Sequence, residues 1–482
     1  MSTCTARPAL LPVLVYASLT SAVVSSLGML LVPTISRDMD VSVSTTQWML
    51  TVNLLVGAVA TPIMGRLSDG RHQKRLLLVS LAVILVGSVI AAAAPNFPIF
   101  LLGRALQGLS YGIVPVTIAL ARRYLPEESV RPAISSLSIA VAAGMGVGYP
   151  LTGVLASELG FRSAFGFAAV FLLTAAAAVH RVVPDGPDLH ALRGTFDAAG
   201  AVLLGLGLSA LLLVVSEGSN WGWTSGWTLG AVLVAAVLLV AWTVVELRTG
   251  DPLVDLRVFR NADVVLENGT AIGLGAALYV GLSVGGLAAQ APTSTEYGVG
   301  LPLFWAGFVM LPLSVGSLGA GRLVRMLTRR VQMTTMLPIG AAVMTASAVR
   351  LWQVHDNLAG ILGGMLLFGI GLGTTYAAMP ALIARNVAAV QLGSAVSFNQ
   401  VLRTVGGAFG SAVSGAVLAT HLASDHHPTE AGISLAFAVG AVCSAAVLTA
   451  LCCNCIRDRR GRSRAAVCSD TREPLHADRD TD

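Results

Sequence analysis

The sequence predicts an all-α membrane protein of fourteen transmembrane helices, and three observations carry that reading. The first is composition. Only 11% of the 482 residues are charged, while 55% are hydrophobic. A water-soluble domain carries about 25% charged residues, so this chain lacks the polar groups to cover a water-facing surface. The second is block length. Apolar residues run in stretches of about 20, the helix length that crosses a hydrocarbon core about 30 Å thick. Unbroken runs lack the alternation of a membrane β-barrel, which leaves helices to satisfy the backbone in lipid. The third is the placement of the cations, which follows from the segments.

The apolar segments span 9–31, 47–66, 76–94, 98–121, 132–156, 163–183, 198–216, 226–246, 264–290, 303–325, 333–353, 357–384, 394–419 and 432–455. The first lacks a charged leader and cleavage site, so it reads as a retained helix. The second opens on Gln47-Trp48-Met49-Leu50-Thr51 and closes on Gly65-Arg66-Leu67. The fourth begins at Pro98 and carries Arg104, the fifth is Gly-rich with Pro150, and the seventh opens behind Phe196-Asp197. The thirteenth holds Asn399, Gln400 and Arg403.

An even count places both termini on one side. With the N-terminus inside, seventeen basic residues fall in inner loops, against Arg37, Arg162 and Arg350 outside. Arg7 and the arginines between Arg457 and Arg479 join the inner side. Positive charge stays inside, so the count is supported by residues not used to make it. The outer loops are short and place Trp221, Trp223, Trp227 and Tyr297 as a headgroup belt. The net charge of +5 is therefore a loop property and implies no nucleic acid. Of 30 basic residues only Lys74 is lysine, which with the Ala, Val and Gly excess suggests a high-G+C bacterial genome. The expected location is a bacterial cell (inner) membrane, multi-pass, with both termini cytoplasmic.

Gly65-Arg66-Leu67 recurs as Gly321-Arg322-Leu323 at the tenth segment. Paired six-helix halves put a substrate site at their interface near mid-membrane. The expected organisation is a bundle over 1–190, an inserted helix pair over 191–250, a second bundle over 251–456 and a disordered tail over 457–482. Six cysteines, Cys4, Cys443, Cys452, Cys453, Cys455 and Cys468, sit away from outer loops and predict no disulfide. Cys452 and Cys455 have no second ligand pair, so no metal is expected. His180, His421, His426 and His427 read as solvated, and Asn268-Gly-Thr270 as a chance glycosylation triplet inside a span. No phosphate-binding loop and no catalytic constellation occur, so neither a cofactor nor an enzyme activity is expected.

Three stretches carry chemistry. In Gly65-Arg-Leu-Ser-Asp69-Gly-Arg71-His-Gln-Lys74-Arg75, Gly65 permits close helix approach and Asp69 is placed to pair with a base or a helix N-terminus. Such a latch holds two helices together in one conformation and releases them in another. Arg104 lies inside a span, where a charge is costly and marks function. The run Gly144-Met-Gly146-Val-Gly148-Tyr149-Pro150-Leu-Thr-Gly153 provides close packing and a bend.

These residues resemble the major facilitator superfamily over nearly the whole chain, and more narrowly its fourteen-helix drug:proton antiporters. Gly65–Arg75 matches the superfamily's inner-loop motif, with His72 where a second Gly is usual. Arg104-Ala-Leu-Gln107-Gly108 matches the R-x-x-Q-G motif linked to proton coupling. Gly144, Gly146, Gly148, Pro150 and Gly153 match the antiporter motif, with Tyr149 in place of a Gly. The segments Phe196–Gly200, Ser216–Gly218, Asp251–Asn261 and Gly393–Gly407 also resemble that subfamily. The resemblance implies a monomer working with protons, membrane lipid and a small-molecule substrate.

One family feature is missing. Ser25-Ser26-Leu27-Gly28-Met29 keeps the later Pro33 but lacks the usual acid of the first helix. Glu267 and Glu246 are the helix-embedded candidates for a coupling acid, while Glu158 and Glu296 read as outer-edge residues. Arg403 is a second intramembrane cation. Gln290, Met310, Asn399 and Gln400 are the candidate cavity lining. The expectation is a proton-driven exporter of drugs or a secondary metabolite, conferring resistance. An importer or facilitator of a small metabolite is the alternative, favoured by Tyr149 and the missing acid.

Overall fold

The computed structural model describes residues 9–41, 43–185, 197–254, 256–257, 262–295, 297–327, 333–386, 392–421 and 428–470. Arg7, Arg193, Arg260, Arg329, Arg330, Phe196, Asp255, Phe259, Asn261, His426, His427, Glu296 and Cys4 lie outside them. Thirteen described helices are at least 18 residues long and apolar enough to cross a membrane. Leu10–Ser26 is a shorter apolar helix beside them, which accounts for all fourteen segments. No strand occurs among the described residues.

The helices are α1 (Leu10–Ser26), α2 (Val32–Asp38), α3 (Val43–Ser68), α4 (Gln73–Ala93), α5 (Phe97–Gln107), α6 (Ile113–Tyr124), α7 (Glu127–Leu159), α8 (Phe161–Val182) and α9 (Ala198–Trp221). There follow α10 (Gly226–Arg248), α11 (Ala262–Gln290), α12 (Leu303–Phe308), α13 (Leu311–Leu327), α14 (Met333–Gln353), α15 (Leu358–Asn386), α16 (Leu392–Ala419) and α17 (Glu430–Asp470). Short polar side chains start several of them. Asn96 accepts from Ile99 N at 3.1 Å, Asp197 from Gly200 N at 2.8 Å and Ser225 from Thr228 N at 3.2 Å. Each satisfies a backbone donor that the first helical turn leaves open.

Three segments depart from straight helices. The first breaks at Gly28, whose φ of 104° is left-handed and suits a residue without Cβ. Just before it, Ser25 and Ser26 bond back to the Ala22 and Val23 carbonyls at 2.8 Å each, which loosens the helix end. A 3-10 turn over Met29–Leu31 leads into α2. The fourth segment passes through a 3-10 turn over Gly108–Gly112 between α5 and α6. The tenth divides into α12 and α13.

Helix α17 continues to Asp470, past the start of the tail expected over 457–482; residues 471–482 are outside the described set. Arg and Ala favour helix, and extending an existing helix needs no new nucleus. One expectation is corrected. Tyr297 is fully buried and is no part of a headgroup belt. The chain after α11 folds back, with Val299 N, Gly300 N and Leu301 N donating to Ala288 O, Ala291 O and Ala289 O. Trp221, Trp223 and Trp227 are exposed, as an interfacial belt requires.

Helices α7 and α3 position the site. The former packs on α1 and also on α12, α13 and α15; the latter packs on α9 and α16. A side core of Leu204, Leu208, Trp242, Phe398 and Val401 joins α9 and α10 to α16. Helix α10 turns Trp227, Leu229, Leu233, Val237 and Val240 outward. Such an exposed apolar face fits a lipid neighbour.

Candidate functional site: two buried arginines, a latch and a central cavity

Arg104 is fully buried in α5. Its Nη1 donates to Gln107 Oε1 at 2.6 Å, and Gln107 Nε2 donates to Ser88 Oγ of α4 at 2.8 Å. Its Nε donates to Met49 O of α3 at 3.4 Å, while Asn53 Nδ2 donates to the Arg104 carbonyl at 3.0 Å. The guanidinium stands 5.7 Å from the Phe165 ring centre on α8. One side chain thus ties four helices. Gly108 acts through its lack of a side chain. A Cβ there would lie 2.7 Å from Asn53 O and 2.8 Å from Val56 Cβ, so a bare backbone lets α3 cross. Arg104 Nη2 has no acceptor among the described residues, and a Cβ on Gly28 would stand 3.6 Å from it. No carboxylate is among the described contacts of Arg104.

Asp69 of the inner-loop motif meets a partner the sequence did not specify. Asp69 Oδ2 accepts from Ser394 N at 3.0 Å and from Ser394 Oγ at 2.5 Å. Ser394 is in the first turn of α16, where a carboxylate complements the exposed amides and the helix dipole. Lys74 Nζ instead lies 2.7 Å from Asp185 Oδ1 and donates to His180 O at 2.9 Å, joining α4 to the end of α8. The Lys74 hydrogen bond and charge hold the exposed Asp185 carboxyl below its ordinary range. Arg71 Nε is buried without an acceptor among the described residues, and Arg75 is exposed. Asp69 thus reaches across to α16, while Lys74 is paired with Asp185. Asp69→Asn removes the charge facing a helix N-terminus, worth about 1 kcal/mol. The initial efflux rate of a transported dye, at equal membrane expression, is expected to fall about fivefold; Ser394→Ala, which keeps the amide donor, should lower it less.

The glycines of α7 face two ways. A Cβ on Gly144 would meet Ala22 of α1 at 2.8 Å, and one on Gly148 would meet Ser26 Oγ. A Cβ on Gly146 would meet Ser314 Oγ of α13, and one on Gly153 would lie 3.0 Å from Leu303 O and 3.1 Å from Phe304 O of α12. Pro150 touches the same contact, since a Cβ on Gly307 would lie 3.0 Å from Pro150 Cα. Ser314 Oγ donates to Ala143 O at 2.7 Å and Ser135 Oγ to Ala377 O at 3.1 Å. The long helix is pinned to later helices at both ends.

Between these contacts lies a narrow central cavity with about 30 Å³ of free volume. Its walls hold Ser21, Ser25, Ser110, Tyr111, Tyr279, Tyr376, Gln400, Arg403 and Thr404 beside Val114, Val141, Met145 and Leu278. Tyr111 and Tyr279 are hydrogen-bonded through their side chains. Arg403 stacks 4.1 Å from the Tyr376 ring centre and donates from Nη2 to Asn399 Oδ1 at 3.0 Å. Asn399 Nδ2 donates to Asn268 Oδ1 at 3.1 Å, so the chance triplet's Asn is a core residue of α11.

Of the expected lining residues Gln400 is in the cavity wall, while Gln290, Met310 and Asn399 are not. Gln290 ends α11, Met310 is buried between α12 and α13, and Asn399 faces Asn268. Glu267 is buried on α11 but does not line the cavity. It precedes Tyr279 by twelve residues, about 18 Å along a helix. Glu246 is buried too, accepting from Trp242 Nε1 at 2.8 Å, in the side core and away from the cavity. Glu158 is exposed. Sequence reasoning missed the tyrosines. Three of the chain's seven line one cavity, and their position in mid-segment, away from the ends that interfacial Tyr favours, was the available signal.

Comparison with known proteins gives concordant results. Residues 13–411 match the Major Facilitator Superfamily. The chain is 29% identical over 285 residues to an uncharacterized MFS-type transporter, YhcA, of Bacillus subtilis, covering 58% of this chain and 51% of that protein. It thus spans about half the length of that relative. It is 27% identical to multidrug resistance protein Stp of Mycobacterium tuberculosis over 82% of this chain and 73% of that one. It is 26% identical to quinolone resistance protein NorB of Staphylococcus aureus over 80% and 83%. The human organic anion transporter MFSD10 (TETRAN) shares the fold, with a TM-score of 0.63 at 14% identity, over 92% of this chain and all of that one.

Proposed function

Because the chain belongs to the Major Facilitator Superfamily, whose members are transporters and not enzymes, we propose that it exports amphipathic drugs or a secondary metabolite in exchange for protons. The observation that carries this reading is the two-faced packing of α7, whose glycines hold α1 on one side and α12 and α13 on the other. That helix is the hinge line along which one six-helix half, 1–190, rocks against the other, 251–456, to expose the cavity on alternate sides. The pair over 191–250 flanks them. In this reading the bond between Asp69 and the first turn of α16 closes one end of the pathway. The names of Stp and NorB, a multidrug and a quinolone resistance protein, support drug export. Arg104, joined to Gln107 and Ser88, is the candidate sensor of protonation, although no acid lies in the described cavity wall. The protein works as a monomer in a bacterial inner membrane with both termini inside.

Dye efflux tests the reading. Cells stripped of their own pumps and expressing the chain are loaded with ethidium or, separately, carboxyfluorescein. Loss of at least one dye is expected to exceed that of empty-vector cells and to stop with a protonophore. If neither dye leaves faster despite confirmed membrane expression, broad drug export is wrong.

A further inference from the structure

The central cavity carries one charge sign. Its described wall contains Arg403 and no Asp or Glu, and hydroxyls make up most of its other polar groups. Arg403 is only 7% exposed, and its Nε has no acceptor among the described residues. Arginine keeps its charge in proteins, so a buried guanidinium seeks an anion or a set of acceptors. What it has here is Asn399 Oδ1 and the face of Tyr376, neither of which cancels the charge. Elsewhere in the lining, Val141, Met145 and Leu278 supply apolar surface, and Tyr111 and Tyr279 supply aromatic rings with hydroxyls.

We propose that this cavity binds amphipathic organic anions: a flat apolar body against the aromatic and aliphatic walls, and a carboxylate or like oxyanion on Arg403. The proposal rests on the transporter reading of the same cavity and assigns it a substrate class. The guanidinium keeps an Nε–H without an acceptor among the described residues, a donor that suits a carboxylate oxygen in a charge-assisted bond. Tyr376 holds the guanidinium flat by stacking, and Asn399, itself held by Asn268, accepts from its Nη2. A lipophilic cation has no countercharge in this wall and meets Arg403 as repulsion. The inside-negative potential of a bacterial membrane also expels an anion, so the missing first-helix acid costs such a substrate little driving force.

Two xanthene dyes of opposite charge form the test: fluorescein, an anion with a free carboxylate, and rhodamine 6G, an esterified cation. Both are titrated into the purified full-length protein, and binding is read by fluorescence anisotropy. The unaltered protein is expected to bind fluorescein at least about tenfold more tightly than rhodamine 6G. Arg403→Gln should weaken fluorescein about tenfold or more while leaving rhodamine 6G unchanged or tighter, and Arg403→Lys should keep a reduced preference. Gln400→Glu leaves Arg403 and its stacking in place but adds a carboxylate to the wall, and should reverse the preference. This second variant decides the matter if Arg403→Gln does not fold. Equal or tighter rhodamine 6G binding by the unaltered protein overturns the proposal, as does a preference that survives Gln400→Glu. Binding does not require turnover. A charge preference without cellular efflux of either dye sinks the export reading alone, whereas efflux without the preference sinks this one alone.

Discussion

Arg104→Ala is expected to reduce dye efflux to the empty-vector level while the protein still reaches the membrane. The guanidinium is the only group shown reaching Gln107, the Met49 carbonyl and the Phe165 ring together. Removing it leaves the buried Gln107 Oε1 on α5 without its donor, at about 1–3 kcal/mol. It also frees α3, α4, α5 and α8 from a common fixed point, which the proposed rocking motion needs if they are to move as one body. Arg104→Lys should recover no more than about a tenth of the rate, since an ammonium is a point charge and cannot hold two separated acceptors in a planar fork. Gln107→Ala, which keeps the charge but cuts the link to Ser88, should fall between. The measurement is the initial efflux rate, normalised to protein in isolated membranes. Ordinary efflux by Arg104→Ala would show that the network only supports the fold.

Gly153→Leu is the second large effect expected. A Cβ there already lies 3.0 Å and 3.1 Å from two backbone oxygens of α12 and 3.4 Å from Gly307 Cα. Backbone atoms cannot turn aside as a side chain can, so a leucine must drive α7 and α12 apart. Overpacking of this kind costs about 1–3 kcal/mol, and the penalty falls on the one conformation in which the two helices touch. Efflux should fall to background, with Gly153→Ala intermediate. Gly166→Leu on α8 is the control: nothing lies within 4 Å of a Cβ at Gly166, so its rate should be unchanged. Equal loss in both variants would mean that leucine harms insertion in general and that the α7–α12 contact has no special role.

Much of the site is legible in the sequence because lipid punishes each misplaced polar group. Arg104 stands out as a charge in a span, and its burial and its link to Gln107 follow from that cost. The α7 glycines stand out by spacing, and they do meet other helices closely. Asp69 reads as a residue awaiting a helix N-terminus, but nothing local says that it would be the α16 N-terminus, with Ser394 lying 325 residues away in sequence. The cavity lining is less legible. Polarity within a span draws attention to Asn399 and Gln290, yet Asn399 bonds to Asn268 and Gln290 to Gly286 of its own helix. A buried polar group can meet its needs against a neighbour as readily as at a cavity.

The sequence by itself determined the membrane class, the fourteen apolar segments and the residues too costly to be incidental. These are consequences of how each segment meets lipid, and length and composition are properties a segment carries alone. The tertiary structure alone decided which faces meet. It placed Tyr111, Tyr279 and Tyr376 around one space with Arg403, and it set Glu267 and Glu246 away from that space. It also broke the first helix at Gly28 and carried α17 on to Asp470. Within a membrane every helix is apolar all round, so hydrophobicity no longer marks the inward face. Packing between small residues on distant segments chooses it instead, and that choice is written in pairs of segments rather than in any one of them.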